Sequence, residues 1–268
     1  MTDEDRVDPE DGPVSTMGGE ALDAARARGA VEVLYRPVAS STLDGVAGLR
    51  SQVRWRTDAG TVLQEEEVQA VAEASGLDVA LDRHVLADAT GRLAEWGALA
   101  DGTVVWAGLS GAPGIEALMD DAVRATHDNT AERHRLGVRW PADAVVASDP
   151  DALLGIRREG VAVMVGDVVP GHGVLHALEE RWVDVLQLDA HLVRSLPSDP
   201  DAVGAATEII RLCARHGEPA VAAGVGRSDV LELLEGLGID QVEGVVAGRA
   251  ESPLIVGMLL HQVLTGLR

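Results

Sequence analysis

The sequence predicts a (β/α)8 barrel of the TIM type, and three observations carry that expectation. Short runs rich in Val, Leu and Ala alternate with amphipathic helical stretches along nearly the whole chain. Eight such runs occur, and 268 residues leave the roughly 250 that one barrel needs. Capping residues fall at many of the run boundaries, so local chemistry and periodicity agree.

The strand-like runs are Val31–Val38, Leu49–Trp55, Thr103–Leu109, Leu136–Trp140, Val161–Gly166, Val183–Asp189, Ala220–Val225 and Val242–Ala247. Helical patterns lie between them, at Glu65–Ser75, Asp82–Trp96, Ala112–Asn129, Pro150–Glu159, Gly173–Arg181, Asp201–His216, Ser228–Leu237 and Ser252–Gly266. Asp149 before Pro150, Asp199 before Pro200, Ser228 and Ser252 are suited to N-caps, because a short polar oxygen can accept an orphan backbone N–H of the first turn. Gly160, Gly217 and Gly238 stand where a left-handed C-cap belongs. Residues 1–17 are acidic and broken by Pro and Gly, which predicts a disordered tail; residues 18–268 form the barrel domain. In such barrels chemistry sits at the C-terminal ends of the strands.

Composition narrows the function. Phe is absent and Tyr occurs once, so the core is aliphatic with five Trp as its large rings. The net charge is −22 and every one of the 22 basic residues is Arg. So acidic a surface repels phosphate backbones and anionic lipid, which argues against nucleic-acid and membrane partners. No apolar run has the roughly 20 residues of a membrane span, and the acidic N-terminus does not match a secretory leader. A single Cys213 in an apolar helical run reads as a buried structural thiol in a reducing cytoplasm. His172 and His176 have a zinc-compatible spacing but no third ligand at a convincing position.

Specific motifs then carry a resemblance. Tyr35-Arg36-Pro37-Val38, followed by Gly48-Leu49-Arg50-Ser51-Gln52-Val53-Arg54-Trp55, resembles the opening of an EAL domain, the cyclic-di-GMP phosphodiesterase family, where Y-Q-P-I precedes G-x-E-A-L-x-R-W. Leu63–Leu77 resembles the next helix of that family, with Glu67, Ala72, Glu73, Gly76 and Leu77 kept, and the similarity continues through nearly the whole chain. The resemblance implies the barrel fold, with room for an antiparallel first strand, and an active site in which carboxylates and an asparagine hold two Mg²⁺ or Mn²⁺ ions.

Position by position, the residues differ from that site. The EAL glutamate falls on Arg50, the asparagine on Gly108, and a further glutamate on Trp140, with Asp143 in the place of its partner. The paired aspartates fall on Gly166 and Asp167, the lysine on Gln187 beside a retained Asp189, and the general base on Ala223. The last glutamate falls on Gly226, and the late Q-G pair reads Glu243-Gly244. An arginine cannot ligate a cation. The expectation is therefore a chain that is not an enzyme, with no catalytic residue, bound metal or cofactor: a regulatory or protein-interaction module of cyclic-di-GMP signalling. A protein partner and a homodimer follow by resemblance, with the acidic tail and the loop Val168–Gly173 as surfaces. A third reading, an active cyclic-di-GMP phosphodiesterase with unusual ligands, ranks last. The alternative is a metal-independent receptor for cyclic-di-GMP or another nucleotide, using Arg36, Arg50 and Arg54, with Arg139 nearby. Against it stands pairing of those arginines with Asp167, Asp189 or Glu243.

Overall fold

The computed structural model describes residues 18–97, 102–111, 118, 120, 135–171 and 173–265. The tail of residues 1–17 and nearly all of the expected helix Ala112–Asn129 lie outside them. Among the described residues nine strands form one sheet in the order β1-β9-β8-β7-β6-β5-β4-β2-β3, and β1 also pairs with β2, closing the sheet on itself. The strands are β1 (Val31–Ser40), β2 (Val46–Arg56), β3 (Val62–Leu63), β4 (Val104–Gly108), β5 (Leu136–Pro141), β6 (Ala162–Val168), β7 (Val185–Leu188), β8 (Ala220–Ala222) and β9 (Gln241–Glu243). β3 is a two-residue addition to β2, so eight strands make the barrel.

β1 is antiparallel to both β2 and β9, while β2 and β4 through β9 run parallel to one another. β2 pairs with β4 only over Gly48–Arg50, yet with β1 as far as Trp55. The β1–β2 ribbon therefore rises past the C-terminal ends of the parallel strands and forms a wall on one side of the mouth.

The helices cover the outside: α1 (Gly19–Ala27), α2 (Glu65–Ser75), α3 (Asp78–Trp96), α4 (Ala142–Ala147), α5 (Pro150–Arg158), α6 (Val174–Glu179), α7 (Ala190–Ser195), α8 (Pro200–His216), α9 (Ser228–Leu237) and α10 (Pro253–Thr265). Asp149 and Asp199 cap α5 and α8 as expected, accepting from the backbone N–H of Asp151 and Asp201. At α9 the cap position is Arg227 instead, and its guanidinium pairs with Asp229 in the first turn. α1 was absent from the sequence expectation; its Leu22 and Ala25 are buried, and Gly19 lies so close to Ser75 of α2 that a Cβ would meet it at 2.5 Å. α10 leaves Leu254, Ile255, Met258 and Leu259 exposed.

Strand alternation divides the apolar interior in two. The larger core lies between sheet and helices and includes Trp55, Trp96 and Trp140. Tyr35 belongs to it, with its ring edge-on to Trp96 at 5.1 Å and its hydroxyl donating to Asp88. The smaller core fills the barrel itself and consists of Val38, Trp106, Met164, Val185 and Val221. With no Phe available, Trp106 is the filler, and two glycines make its space. A Cβ at Gly137 would sit 2.3 Å from its ring, and one at Gly48 would sit 2.7 Å from Nε1. On the outer helices, Cys213 is fully buried, and burial pushes its thiol up to about 12, which keeps it protonated and unreactive.

Gly137→Ala should destabilise the chain by about 1–3 kcal/mol through overpacking against Trp106. Gly155→Ala, in open space on α5, should be neutral or stabilising by up to about 1 kcal/mol. Urea-denaturation midpoints of the two variants check the contrast.

Candidate functional site

The residues that matter project from the strands one layer above Trp106. β2 sends in Arg50 and Gln52, β1 Arg36, β5 Arg139, β7 Gln187 and β9 Glu243. Glu65 enters from the first turn of α2. The backbone there is fixed by local chemistry: Gln64 and Glu67 form a reciprocal capping box that starts α2 at Glu65. Arg50, Gln187 and Glu243 are 9%, 1% and 3% exposed.

These side chains form one continuous hydrogen-bonded chain across the mouth. Arg36 Nε donates to Gln52 Oε1 at 3.0 Å, and Gln52 Nε2 donates to Glu65 Oε2 at 3.2 Å. Arg50 Nη1 reaches the same carboxylate at 3.0 Å and also donates to the Ser51 carbonyl. The other edge of the Arg50 guanidinium holds Glu243, with Nη2 at 2.8 Å from Oε1 and Nε at 2.9 and 3.0 Å from the two oxygens. Gln187 Nε2 donates to Glu243 Oε2 at 2.8 Å, while its Oε1 accepts from Arg139 Nε at 3.0 Å. Arg139 Nη2 ends the chain on Asp167 at 2.6 Å.

Three guanidinium groups thus face three carboxylates. Burial works against the charge of Arg50, but Glu243 and Glu65 outweigh it and hold its pKa above the ordinary arginine value. Burial likewise pushes Glu243 upward, and Arg50, then Arg139 and Arg36, pull it below the usual carboxylate range. Removing one partner of such a pair is costly because the other is left charged and dry.

The expected site residues separate into groups. Arg36, Arg50 and Glu243 meet, Arg36 Nε lying 3.9 Å from Glu243. Asp167 joins through Arg139. Arg54 stands apart from the chain and pairs with Glu32 across the β1–β2 ribbon. Asp189 does not join at all: its carboxylate caps α7, accepting from the backbone N–H of His191 and Leu192. One motif position also shifts. Trp140 is fully buried in the outer core, and alternation along β5 turns Arg139 to the mouth instead. His172 lies outside the described residues.

Glu65 and Gln52 were missed as site residues. Their signal was weak: a carboxylate in the first turn of a helix right after a site strand, and a polar residue two positions beyond Arg50 on the same strand face. Of the glycines at motif positions, Gly166 is a spatial requirement and Gly108 a close fit, while Gly226 has room for a Cβ. A Cβ at Gly166 would lie 2.1 Å from the Arg139 guanidinium, and one at Gly108 would lie 3.2 Å from the Ser51 carbonyl and 3.6 Å from Arg50 Nη1.

The donor set does not fit a pair of divalent ions. The two carboxylates that converge, Glu243 buried and Glu65 half-buried, are already shared with Arg50, and among the described residues no three His, Cys, Asp or Glu side chains form a metal-binding group. Next to the buried chain, the ribbon wall opens a cleft of about 430 Å³ lined by Arg36, Gln52, Arg54, Gln64, Glu65 and Arg249, among others.

A closed mixed barrel with this mouth is an EAL-type fold, and residues 19–250 match the EAL domain family model. The chain belongs to the EAL domain family. It is 25% identical over 239 residues to the bifunctional diguanylate cyclase/cyclic di-GMP phosphodiesterase MucR of Pseudomonas aeruginosa, covering 85% of this chain and 34% of that protein. It spans about a third of the length of the curated relatives it matches. Among solved structures it resembles the PaMucR phosphodiesterase in complex with c-di-GMP (TM-score 0.80, 21% identity, covering 88% of this chain and 98% of that one). It also resembles the EAL enzyme Bd1971 bound to cAMP and cyclic-di-GMP (TM-score 0.82, 16% identity, covering 90% and 67%).

These findings correct one expectation. The chain cannot be set down as a non-enzyme, because its family and its structural neighbours include phosphodiesterases and EAL enzymes. The changed donor set is a difference within that family and does not itself demonstrate a loss of activity. Among the described residues no helix is long and apolar enough to cross a membrane.

Arg50→Met, which keeps bulk and removes charge, should cost about 3–5 kcal/mol of stability by stranding Glu243. The folded pKa of Glu243 lies below its unfolded value, so its contribution is complete above about pH 4.3 and fades as pH falls through the folded value. Urea midpoints measured between pH 3 and 7 should therefore fall on acidification, and fall less steeply in Glu243→Gln.

Proposed function

We propose that this EAL domain is a regulatory module of cyclic-di-GMP signalling that takes a cyclic dinucleotide on arginines at the barrel mouth and passes its occupancy to a protein partner. The observation supporting it is the cleft beside the ribbon wall. In a chain of net charge −22, Arg36, Arg54 and Arg249 gather around one opening, with Glu65 and Glu66 on its α2 side. Arginine suits phosphate because its planar fork can donate two parallel hydrogen bonds.

Recognition here is independent of bound metal, since the positive charge is covalent and sits in the walls. Gln52 and Gln64 add neutral donors and acceptors at the same opening. Arg54 is held by Glu32 and Arg36 by Gln52, so both are oriented before a ligand arrives. A second copy of the chain is the first candidate for the partner, and the cytoplasm, inferred from the single buried Cys213, is the compartment.

Calorimetric titration of cyclic-di-GMP into the full chain in EDTA should give a Kd at or below about 10 μM, or roughly −7 kcal/mol. Arg54→Ala and Arg249→Ala should each weaken binding by about tenfold, the loss of a charged hydrogen bond. Binding that appears only with Mg²⁺ or Mn²⁺ would overturn metal-independent recognition. Absence of heat in every condition would overturn the dinucleotide itself as ligand.

A further inference from the structure

The head group of Arg50 is held by acceptors at all three of its nitrogens. Glu243 closes one side with both carboxylate oxygens, Glu65 and the Ser51 carbonyl close another, and Gly108 leaves the remaining room by having no side chain. Each carboxylate also has a contact that does not involve Arg50. Glu243 is fixed by Gln187 from β7, and Glu65 by Gln52 and by the start of α2. Glu65 and Gln52 also line the open cleft, so the site has a path to solvent.

We propose that Arg50 is a resident cation in a preformed guanidinium-binding site, and that a small free guanidinium ion occupies the site once the side chain is cut back. The site and not the tether supplies the specificity. One carboxylate on Nε and Nη2, and a second on Nη1 beside a backbone carbonyl, suit a flat fork of N–H donors. A spherical ion would need its donors drawn in around it. Whether a dinucleotide binds at the neighbouring cleft does not affect this site.

The test uses the full chain carrying Arg50→Ala, with N-ethylguanidinium replacing the deleted atoms. The variant should melt about 10 °C or more below the parent. Millimolar N-ethylguanidinium should recover at least half of that shift saturably, and the neutral N-ethylurea of the same shape should recover none. Equal recovery by both compounds, or none by either, would overturn the proposal. Larger recovery by Mn²⁺ than by the guanidinium ion would replace it with a metal site. If Arg50→Ala does not fold, the parent chain decides: a filled site predicts no saturable gain in melting temperature from Mn²⁺ or N-ethylguanidinium. A gain abolished by Glu65→Gln would overturn the proposal.

Discussion

The ion pair between Arg50 and Glu243 is the constraint around which the mouth is arranged. A carboxylate 3% exposed cannot remain charged without a close cation, and a buried guanidinium cannot lose its proton. Each therefore requires the other, and both require further donors and acceptors for the atoms left over. Gln187 is set between Glu243 and Arg139 as an amide that donates to one and accepts from the other. Glu65 takes the edge of Arg50 that Glu243 does not reach. Gly166 follows from the same demand, since a side chain there would displace the Arg139 guanidinium, and a Cβ at Gly108 would press on the Ser51 carbonyl that Arg50 uses.

This balance explains how a strongly acidic chain keeps arginines in its interior. At the mouth Arg50, Arg139 and Arg36 are matched by buried Glu243, half-buried Glu65 and exposed Asp167, so this layer carries no excess charge to be stabilised by counter-ions. The excess acid lies on the surface, where water screens it. Beneath the polar layer, Trp106 and four aliphatic side chains seal the barrel, giving the charges a dry floor on one side and the open cleft on the other.

Much of this was legible in the sequence, for identifiable reasons. The alternation of strand and helix is a periodic signal, and it placed the barrel. Arg50 and Glu243 stood out because they occupy motif positions flanked by matching residues. Asp189 misled because retention at a motif position says nothing about which way a carboxylate turns, and a helix start offered it two backbone N–H groups. Trp140 misled by one residue, since spacing fixes a strand while facing depends on its pleat. Glu65 was hidden because its role depends on a helix folding back over the mouth, a tertiary fact that no local pattern encodes. The helix α1 escaped because nine residues of mixed polarity hold their shape by packing against α2.

The antiparallel ribbon of β1 and β2 has a consequence for the order in which the chain assembles. Its strands are neighbours in sequence, joined by a short turn, so this pairing forms at little loop-closure cost. The seam between β1 and β9 joins Val38 to Glu243, and it must wait until the last barrel strand has been placed. Arg50 is carried on the earliest ribbon and its partner on the latest strand, 193 residues away. The two charges therefore stay hydrated through most of folding and lose their water together as the ring shuts. Their pairing acts as a latch on a completed circle.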